Sequence, residues 1–391
     1  MPSAPLIDRE LASAVSGEKI PGLVAAAADE SGVICEAAFG RRNLALPQRM
    51  TTDSVFRIAS MTKAITGTAA MQMVEQGKLS LDQDAREVLP FLHETKVLDG
   101  FDSAGQPILR APRGIITLRG LLTHTAGFVY DTWNENMRRY AELTGLPAAR
   151  TGKLAALAAP LGFDPGERWE YGIGIDIAGR MVEVVSGLDL ETYFQRHILG
   201  ALGMTDTSYI ERPEWEGRLT AVHARQPDGM LEPIAQPTGT NVDREFFPGG
   251  GGLYSTAADY LRFLRALMNG GELDGNRILR TETVALMGQN HMGPLNVLPM
   301  KSANPQLSND VELFPGMVKK WGLTFLINTQ PGPAGRSAGS LAWAGLNNTY
   351  YWLDPVRKVA GVLMTQILPF ADRTVLDTLD AFERAVYQTV G

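Results

Sequence analysis

The chain has 391 residues, of which 45% are hydrophobic and 20% charged, and its net charge is −7. This composition is typical of a globular protein and excludes a disordered chain, a collagen and a coiled coil. The 36 Lys and Arg and 43 Asp and Glu form no run of like charge, so neither a nucleic-acid partner nor a membrane partner is indicated. The single cysteine, Cys35, excludes an intrachain disulfide and any multi-cysteine metal site.

The sequence shows no pattern typical of a targeting signal. Residues 1–22 lack the basic segment followed by an apolar core that is typical of a signal peptide. The chain also contains no run of 18 consecutive apolar residues, the length typical of a transmembrane helix. We therefore expect a cytoplasmic protein without a transmembrane helix. The oligomeric state is left open, and a homo-oligomer is compatible with the sequence.

The first elements are a helix and two strands, followed by a long run of helices. Helical spacing covers residues 6–15, and strands are predicted at 22–28 and 32–40 around a turn at residues 30–32. A Pro-free, Ala- and Met-rich segment predicts a buried helix over 61–76, closed by Gly77. Further helices are predicted at 118–122, 154–159, 174–185, 190–199 and 257–268, the last capped by Thr256.

Strand patterns return near the end of the chain, at 322–328, 340–343, 349–353 and 359–366, before a last amphipathic helix at 375–390. Strands at both ends with helices between them predict an α+β fold, in which an antiparallel sheet is flanked by helices and carries an inserted helical lobe. We expect residues 1–60 and 320–391 to form a discontinuous α/β lobe and residues 61–319 a mainly helical lobe. The active site would lie between the two lobes.

The strongest chemical motif is Ser60-Met61-Thr62-Lys63, where a strand or loop gives way to the long helix. Residues three apart on a helix share a face, so the Lys63 amine can lie beside the Ser60 hydroxyl. Serine is a poor nucleophile without a neighbouring base, and a neutral lysine amine can be that base. By itself the pattern also fits an ordinary helix start with a serine cap.

Two later segments can complete such a site. Tyr171 lies on a loop before the helix at 174–185, and a tyrosine hydroxyl there can accept or donate a proton. Near the chain end, Trp343-Ala-Gly345 lies at a predicted strand, and the following Leu346 can offer a backbone N–H to an oxyanion together with that of Ser60. Taken by itself, Tyr171 is better explained as a packing aromatic residue with a solvated hydroxyl.

Two other patterns do not indicate a site. Residues 335–339, GRSAG, match the G-x-S-x-G elbow of α/β-hydrolases, but that elbow requires a histidine later in the chain and the last one is His291. Ser337 is therefore predicted to be a loop residue. The five histidines form no zinc-binding pattern, so neither a metal nor a cofactor is expected.

Together the motifs resemble those of serine β-lactamases and penicillin-binding proteins, for which S-x-x-K is part of the signature. The resemblance extends over nearly the whole chain, in the order FRIASMTK (56–63), LLTHTAG (121–127), PGERWEY (165–171) and GGLYSTAAD (251–259). It is greatest for the class C β-lactamase-like carboxylesterases called family VIII. Segments at 97–119 and 171–191 are also similar to fungal acyltransferases that acylate polyketide alcohols.

The resemblance implies roles for six residues. Ser60 would be the nucleophile, Lys63 and Tyr171 the acid/base pair, and the amides of Ser60 and Leu346 the oxyanion hole, with Trp343 and Gly345 at the substrate edge. Two positions depart from true class C β-lactamases, which carry Tyr-x-Asn and Lys-Thr-Gly. Here Ile173 replaces the Asn and Trp343-Ala-Gly345 replaces Lys-Thr-Gly, as in the esterases of the family.

The sequence therefore predicts a serine carboxylesterase that hydrolyses short-chain carboxylic esters, a small-molecule substrate, through an acyl-enzyme on Ser60. Weak β-lactam hydrolysis is a possible side activity. Three alternatives remain: an acyltransferase to an alcohol acceptor, a β-lactamase or D-amino acid peptidase, and a non-catalytic binding module.

Overall fold

The computed structural model describes residues 4–235 and 243–391. Over these ranges the α-helices are α1 (Pro5–Ala14), α2 (Thr62–Glu75), α3 (Leu118–Leu122), α4 (Glu135–Thr144), α5 (Gly174–Ser186), α6 (Leu190–Phe194), α7 (Ala257–Met268), α8 (Thr281–Met287) and α9 (Arg373–Thr389).

The strands fall into one large sheet and several two- or three-stranded pieces. Those of the large sheet are β1 (Gly22–Asp29), β2 (Gly32–Gly40), β11 (Lys319–Trp321), β12 (Leu326–Asn328), β13 (Leu341–Gly345), β14 (Thr349–Asp354) and β15 (Val359–Met364). The short pieces use β3 (Phe56–Arg57), β4 (Val97–Phe101), β5 (Pro107–Arg110), β6 (His223–Arg225), β7 (Leu231–Pro233), β8 (Tyr254–Ser255), β9 (Glu272–Leu273), β10 (Asn276–Arg277) and β16 (Ile367–Leu368).

The large sheet joins the two ends of the chain. Its strand order is β11-β12-β13-β14-β15-β1-β2, and each neighbouring pair is antiparallel. The link between the ends is the β1–β15 pairing, in which Val24 lies opposite Met364 and Ala28 opposite Ala360. Because β1 and β15 are buried on both faces, they are continuous apolar runs rather than alternating ones.

Helices cover both faces of this sheet. Successive residues of a strand point to opposite faces, and in β14 the Tyr351 ring lies 5.2 Å from that of Tyr260 on α7, whereas the Trp352 ring lies 5.5 Å from that of Phe382 on α9. Gly361 on β15 leaves room for that indole, since a Cβ there would lie 2.1 Å from a Trp352 ring carbon. The sheet is therefore the middle layer between α7 and α9.

Helix α2 forms the centre of the helical part. Residues Thr62–Met73 of this helix are all buried, and α2 packs against α5. Gly67 permits close packing on one side, because a Cβ there would lie 2.5 Å from the Thr324 side chain. A helix buried all round has no apolar stripe, which is why residue composition rather than periodicity predicts it.

The structure confirms the predicted fold class and most of the helices. The prediction of one strand over 322–328 is wrong, because Thr324 has a φ of 80° and turns the chain between β11 and β12. Residues 154–158 form a 3₁₀ turn instead of an α-helix, and α4 and α8 were not predicted. The two-lobe division stays a prediction. No helix among the described residues is both long and apolar enough to cross a membrane.

A buried ion pair fixes α9 to the loop before β13. Arg336 is 4% exposed and Glu383 1% exposed, and the Arg336 Nε donates to Glu383 Oε1 at 2.9 Å. Glu383→Ala would leave the buried guanidinium unpaired, and we expect the free energy of unfolding to fall by about 3–5 kcal/mol in urea denaturation.

The control is Asp377→Ala, which breaks the exposed pair between Asp377 and Arg373 on the same helix. We expect this variant to lose less than about 1 kcal/mol. Equal losses in the two variants would contradict the assignment of α9 docking to the buried pair.

Candidate active site

Ser60 lies at the start of α2, on a single 3₁₀ turn (Ala59–Met61) that leads into the helix. The preceding Ala59 has a φ of 43°, an unusual conformation for a residue with a Cβ. One turn further on, the Lys63 side chain returns to the serine, so that its Nζ lies 3.1 Å from Ser60 Oγ. The structure thus places the two side chains together, as the three-residue spacing predicts.

Lys63 is fully buried and has two further polar contacts. Its Nζ donates to the Gly250 carbonyl oxygen at 2.6 Å and to the Tyr130 hydroxyl at 3.0 Å. It also lies over the Tyr171 ring, 4.8 Å from the ring centre. A buried amine needs such acceptors because transfer from water without them is costly.

Gly250 belongs to a glycine loop (residues 248–252) that passes between α2 and α5. Its N–H donates to Asp176 Oδ1 at 2.9 Å, and the other carboxylate oxygen of Asp176 accepts from the Tyr130 hydroxyl at 3.3 Å. Burial raises the pKa of the Asp176 carboxyl, although the Lys63 charge opposes the shift. The pKa of the Tyr130 hydroxyl is raised well above its usual value, mainly by burial and next by the negative charge of Asp176.

Tyr171 and Trp343 meet as a pair. The Trp343 Nε1 donates to the Tyr171 hydroxyl at 3.0 Å, and the ring of His124 lies 4.7 Å from that of Tyr171. Desolvation lowers the pKa of the buried His124 well below its usual value, so the imidazole is neutral. Tyr171 therefore contacts Lys63 through its ring, while its hydroxyl oxygen accepts from the indole.

Two backbone N–H groups complete the arrangement. Neither Ser60 nor Leu346 has a hydrogen-bond acceptor for its N–H within residues 4–235 and 243–391, and both residues line the same cavity. Gly345 brings β13 close to the Ser60 segment, since a Cβ there would lie 2.3 Å from the Ile58 carbonyl oxygen. This pair of donors has the composition of an oxyanion hole.

The cavity beside Ser60 has a volume of about 840 Å³. Its wall is mainly apolar, with Val129, Met137, Leu146, Ile173 and Leu346 among the residues that form it. Arg57, Arg150 and Arg244 also line it. The volume lies in the upper part of the usual range for small-molecule sites.

The other sequence patterns lie away from this site. Ser337 lies in the loop before β13, where its N–H donates to Asp354 Oδ2, as predicted for a loop residue. No group of three or more His, Cys, Asp or Glu within the described parts of the chain could hold a metal ion.

The sequence reasoning did not find Tyr130, Asp176 or Gly250. Asp176 carried a signal, since it is an acidic residue within the otherwise apolar run 173–179. The four successive glycines at 249–252 were a signal for Gly250, because a run of glycines allows close packing of the backbone. Tyr130 has no comparable signal.

Known proteins resemble this chain along its whole length. The sequence model of the Beta-lactamase family matches residues 7–385. Monacolin J acid methylbutanoyltransferase of Aspergillus terreus is 33% identical over 98% of this chain and 95% of its own length. Lovastatin esterase of Penicillium rubens is 30% identical over 98% of each chain. The structure of unliganded simvastatin synthase from Aspergillus terreus superposes with a TM-score of 0.85 at 32% identity, covering 98% of this chain and 97% of that one.

The glycine loop provides a test of the packing at Lys63. A Cβ at Gly250 would lie 2.4 Å from Asp176 Oδ2 and 2.8 Å from the Tyr130 hydroxyl. We expect Gly250→Ala to lower the free energy of unfolding by about 1–3 kcal/mol, as overpacking does. Gly251→Ala is the matched control because its nearest neighbour would be 3.7 Å away. Similar thermal unfolding of the two variants would contradict the close approach at Gly250.

Proposed function

The chain belongs to the Beta-lactamase family, and we propose that it is an acyltransferase that moves an acyl group through Ser60 to a bulky alcohol. The membership confirms the resemblance drawn from the motifs. A serine acyl-enzyme serves either of the two activities named among the relatives, acyl transfer and ester hydrolysis, and the choice between them concerns the second substrate.

The first half-reaction uses Ser60 as nucleophile. Its Oγ attacks the carbonyl carbon of an ester or thioester donor while its proton passes to the Lys63 amine 3.1 Å away. The Ser60 and Leu346 N–H groups stabilise the oxyanion. Collapse of the tetrahedral intermediate breaks the bond to the leaving group, which takes up a proton as it departs.

Tyr171 is the proposed proton donor to the leaving group. Its oxygen already accepts the Trp343 N–H at 3.0 Å, so its own proton is free to point elsewhere. In the second half-reaction the acceptor hydroxyl attacks the acyl carbon and gives its proton to the Tyr171 oxygen. Lys63 then returns a proton to Ser60 Oγ as the new ester leaves.

The single observation that favours transfer is the cavity of about 840 Å³ at Ser60. A short acyl chain fills only part of this volume, and the apolar wall suits a bulky acceptor and disfavours water. Hydrolysis is the second candidate, supported by the 30% identity to lovastatin esterase over 98% of the chain. β-Lactam hydrolysis is disfavoured, because Ile173 and Trp343 offer neither an amide nor an ammonium group there.

The nucleophile is tested with Ser60→Ala. We expect turnover of a short-chain aryl ester to fall by at least about 10³-fold, as for removal of other serine nucleophiles. A fluorophosphonate should label the parent protein at Ser60 and leave the variant unlabelled. Ser337→Ala is the control and should keep full turnover. Activity retained by Ser60→Ala would contradict the proposal, as would its loss in the Ser337 variant.

The acceptor is tested by competition between alcohol and water. With an aryl ester donor and a fused-ring aliphatic alcohol at about 1 mM, within the usual range of KM values, we expect the ester product to exceed the free acid. Methanol at the same concentration should give mainly acid. Free acid as the sole product with the bulky alcohol would establish the esterase instead.

A cavity-filling pair of variants sharpens this experiment. Ala148 lines the cavity, whereas the nearby Ala155 is exposed and lies outside it. Ala148→Trp should reduce transfer to the bulky alcohol by more than about 10-fold while hydrolysis of a small aryl ester continues, and Ala155→Trp should change neither rate. Equal loss of both reactions in Ala148→Trp would contradict an acceptor bound in this cavity.

A further inference from the structure

We propose that Asp176 is a positioning residue for Lys63, which fixes the direction of a hydrogen-bond chain so that the amine can exchange a proton with Ser60 alone. The proposal rests on the proposed function, because it takes Ser60 as the nucleophile and Lys63 as its base. Asp176 itself contacts neither Ser60 nor Lys63 through a hydrogen bond in the described structure.

The carboxylate of Asp176 is held inside the protein in the first turn of α5. Only 1% of the residue is exposed. Each of its oxygens accepts one hydrogen bond, Oδ1 from the Gly250 N–H at 2.9 Å and Oδ2 from the Tyr130 hydroxyl at 3.3 Å. Burial raises the pKa of the carboxyl, but the Lys63 charge opposes this shift and favours the ionised form. In that form the carboxylate can only accept, so both neighbours must donate to it.

That requirement determines the next contacts. Tyr130 has a single hydroxyl proton and gives it to Asp176, so the Tyr130 oxygen can only accept from Lys63 Nζ, 3.0 Å away. The Gly250 carbonyl, 2.6 Å from the same nitrogen, also can only accept. Two N–H bonds of Lys63 are thereby committed, whichever charge the amine carries.

The contact with Ser60 is the one that remains reversible. A charged Lys63 has a third N–H, which donates to Ser60 Oγ at 3.1 Å. When this proton passes to Ser60 Oγ as the acyl group leaves, the electron pair left on Nζ faces the Ser60 hydroxyl and can accept its proton in the next cycle. As Ser60 Oγ bonds to the acyl carbon, the Oγ–H bond breaks and Lys63 becomes an ammonium again, balanced by the Asp176 carboxylate.

The surroundings favour this proton arrangement. Burial beside the carboxylate raises the pKa of the Tyr130 hydroxyl well above its usual value, so Tyr130 keeps the proton that it donates. Gly250 brings its N–H and carbonyl into one small space, where a Cβ would lie 2.4 Å from the Asp176 carboxylate. The backbone N–H cannot change from donor to acceptor, and it therefore orients whatever side chain stands at position 176.

Asp176→Asn tests this argument with a side chain of the same shape. The Gly250 N–H must take the amide oxygen, which turns the amide NH₂ towards Tyr130. Tyr130 must then accept from the new amide and donate to Lys63, and the electron pair of Lys63 is occupied by Tyr130 instead of Ser60. We expect kcat on an aryl ester to fall by about 100-fold, in the range for lost acid–base catalysis, with KM within about threefold of the parent value.

The double variant with Tyr130→Phe separates positioning from structural damage. Without the Tyr130 hydroxyl there is no group whose hydrogen bond the amide at position 176 can reverse. Asp176→Asn should therefore change kcat by less than about threefold in the Tyr130→Phe background. Damage to folding would add to the Tyr130→Phe effect instead. Additive losses in kcat would overturn the proposal.

A second buried aspartate controls for the loss of a carboxylate. Asp259 on α7 accepts from the Asp206 N–H and the Thr207 hydroxyl, both at 2.8 Å, and its burial raises its pKa to about 6. Asp259→Asn should change thermal unfolding without a selective fall in kcat. If Asp176→Asn does not fold, Tyr130→Phe alone decides, since parental kcat in that variant would overturn the proposal.

The outcomes also distinguish this proposal from the proposed function. Full turnover by Ser60→Ala would contradict the nucleophile and with it both proposals. An inactive Ser60→Ala together with parental kcat and a parental rate of fluorophosphonate labelling in Asp176→Asn would overturn the positioning role alone. Slow labelling of Ser60 in Asp176→Asn, with a normal KM, supports it.

Discussion

The arrangement around Ser60 depends on one constraint: the buried amine of Lys63 must find its hydrogen-bond partners inside the protein. Lys63 has no access to solvent, so the oxygens around its nitrogen must come from the protein. They come from three distant parts of the chain: the 3₁₀ turn before α2, the segment after α3 and the glycine loop before β8. These three parts must therefore pack closely enough on α2 to keep the contacts at hydrogen-bond distance.

The large sheet contributes to the same site through the end of β13. β13 ends where Gly345 lies against the Ile58 carbonyl, and the next residue offers its N–H beside the start of α2. The same strand carries Trp343, whose indole holds the Tyr171 hydroxyl. The groups around Ser60 thus depend on two layers of the fold, because Ser60 and Lys63 come from the start of α2, whereas Trp343 and the Leu346 N–H come from the sheet.

Sequence reasoning succeeded where the chemistry is local. Ser60 and Lys63 are three residues apart on one helix, so backbone geometry alone brings them together. Tyr130 and Gly250 reach the same nitrogen across 67 and 187 residues, and no periodicity encodes such contacts. The β11–β12 turn was not predicted either, because Thr324 there has a positive φ, which is unusual for a β-branched residue, and its side chain packs against the distant Gly67 of α2.

The position of Leu346 one residue beyond β13 has a consequence for how such a protein can change. Its N–H is aimed by strand pairing, and a slip of one residue would turn every side chain of β13 to the other face. Much of the cavity wall, in contrast, comes from residues 129–159, which take no part in the sheet. Exchange of these wall residues can therefore change the shape of the cavity without disturbing the strand pairing that aims the Leu346 N–H.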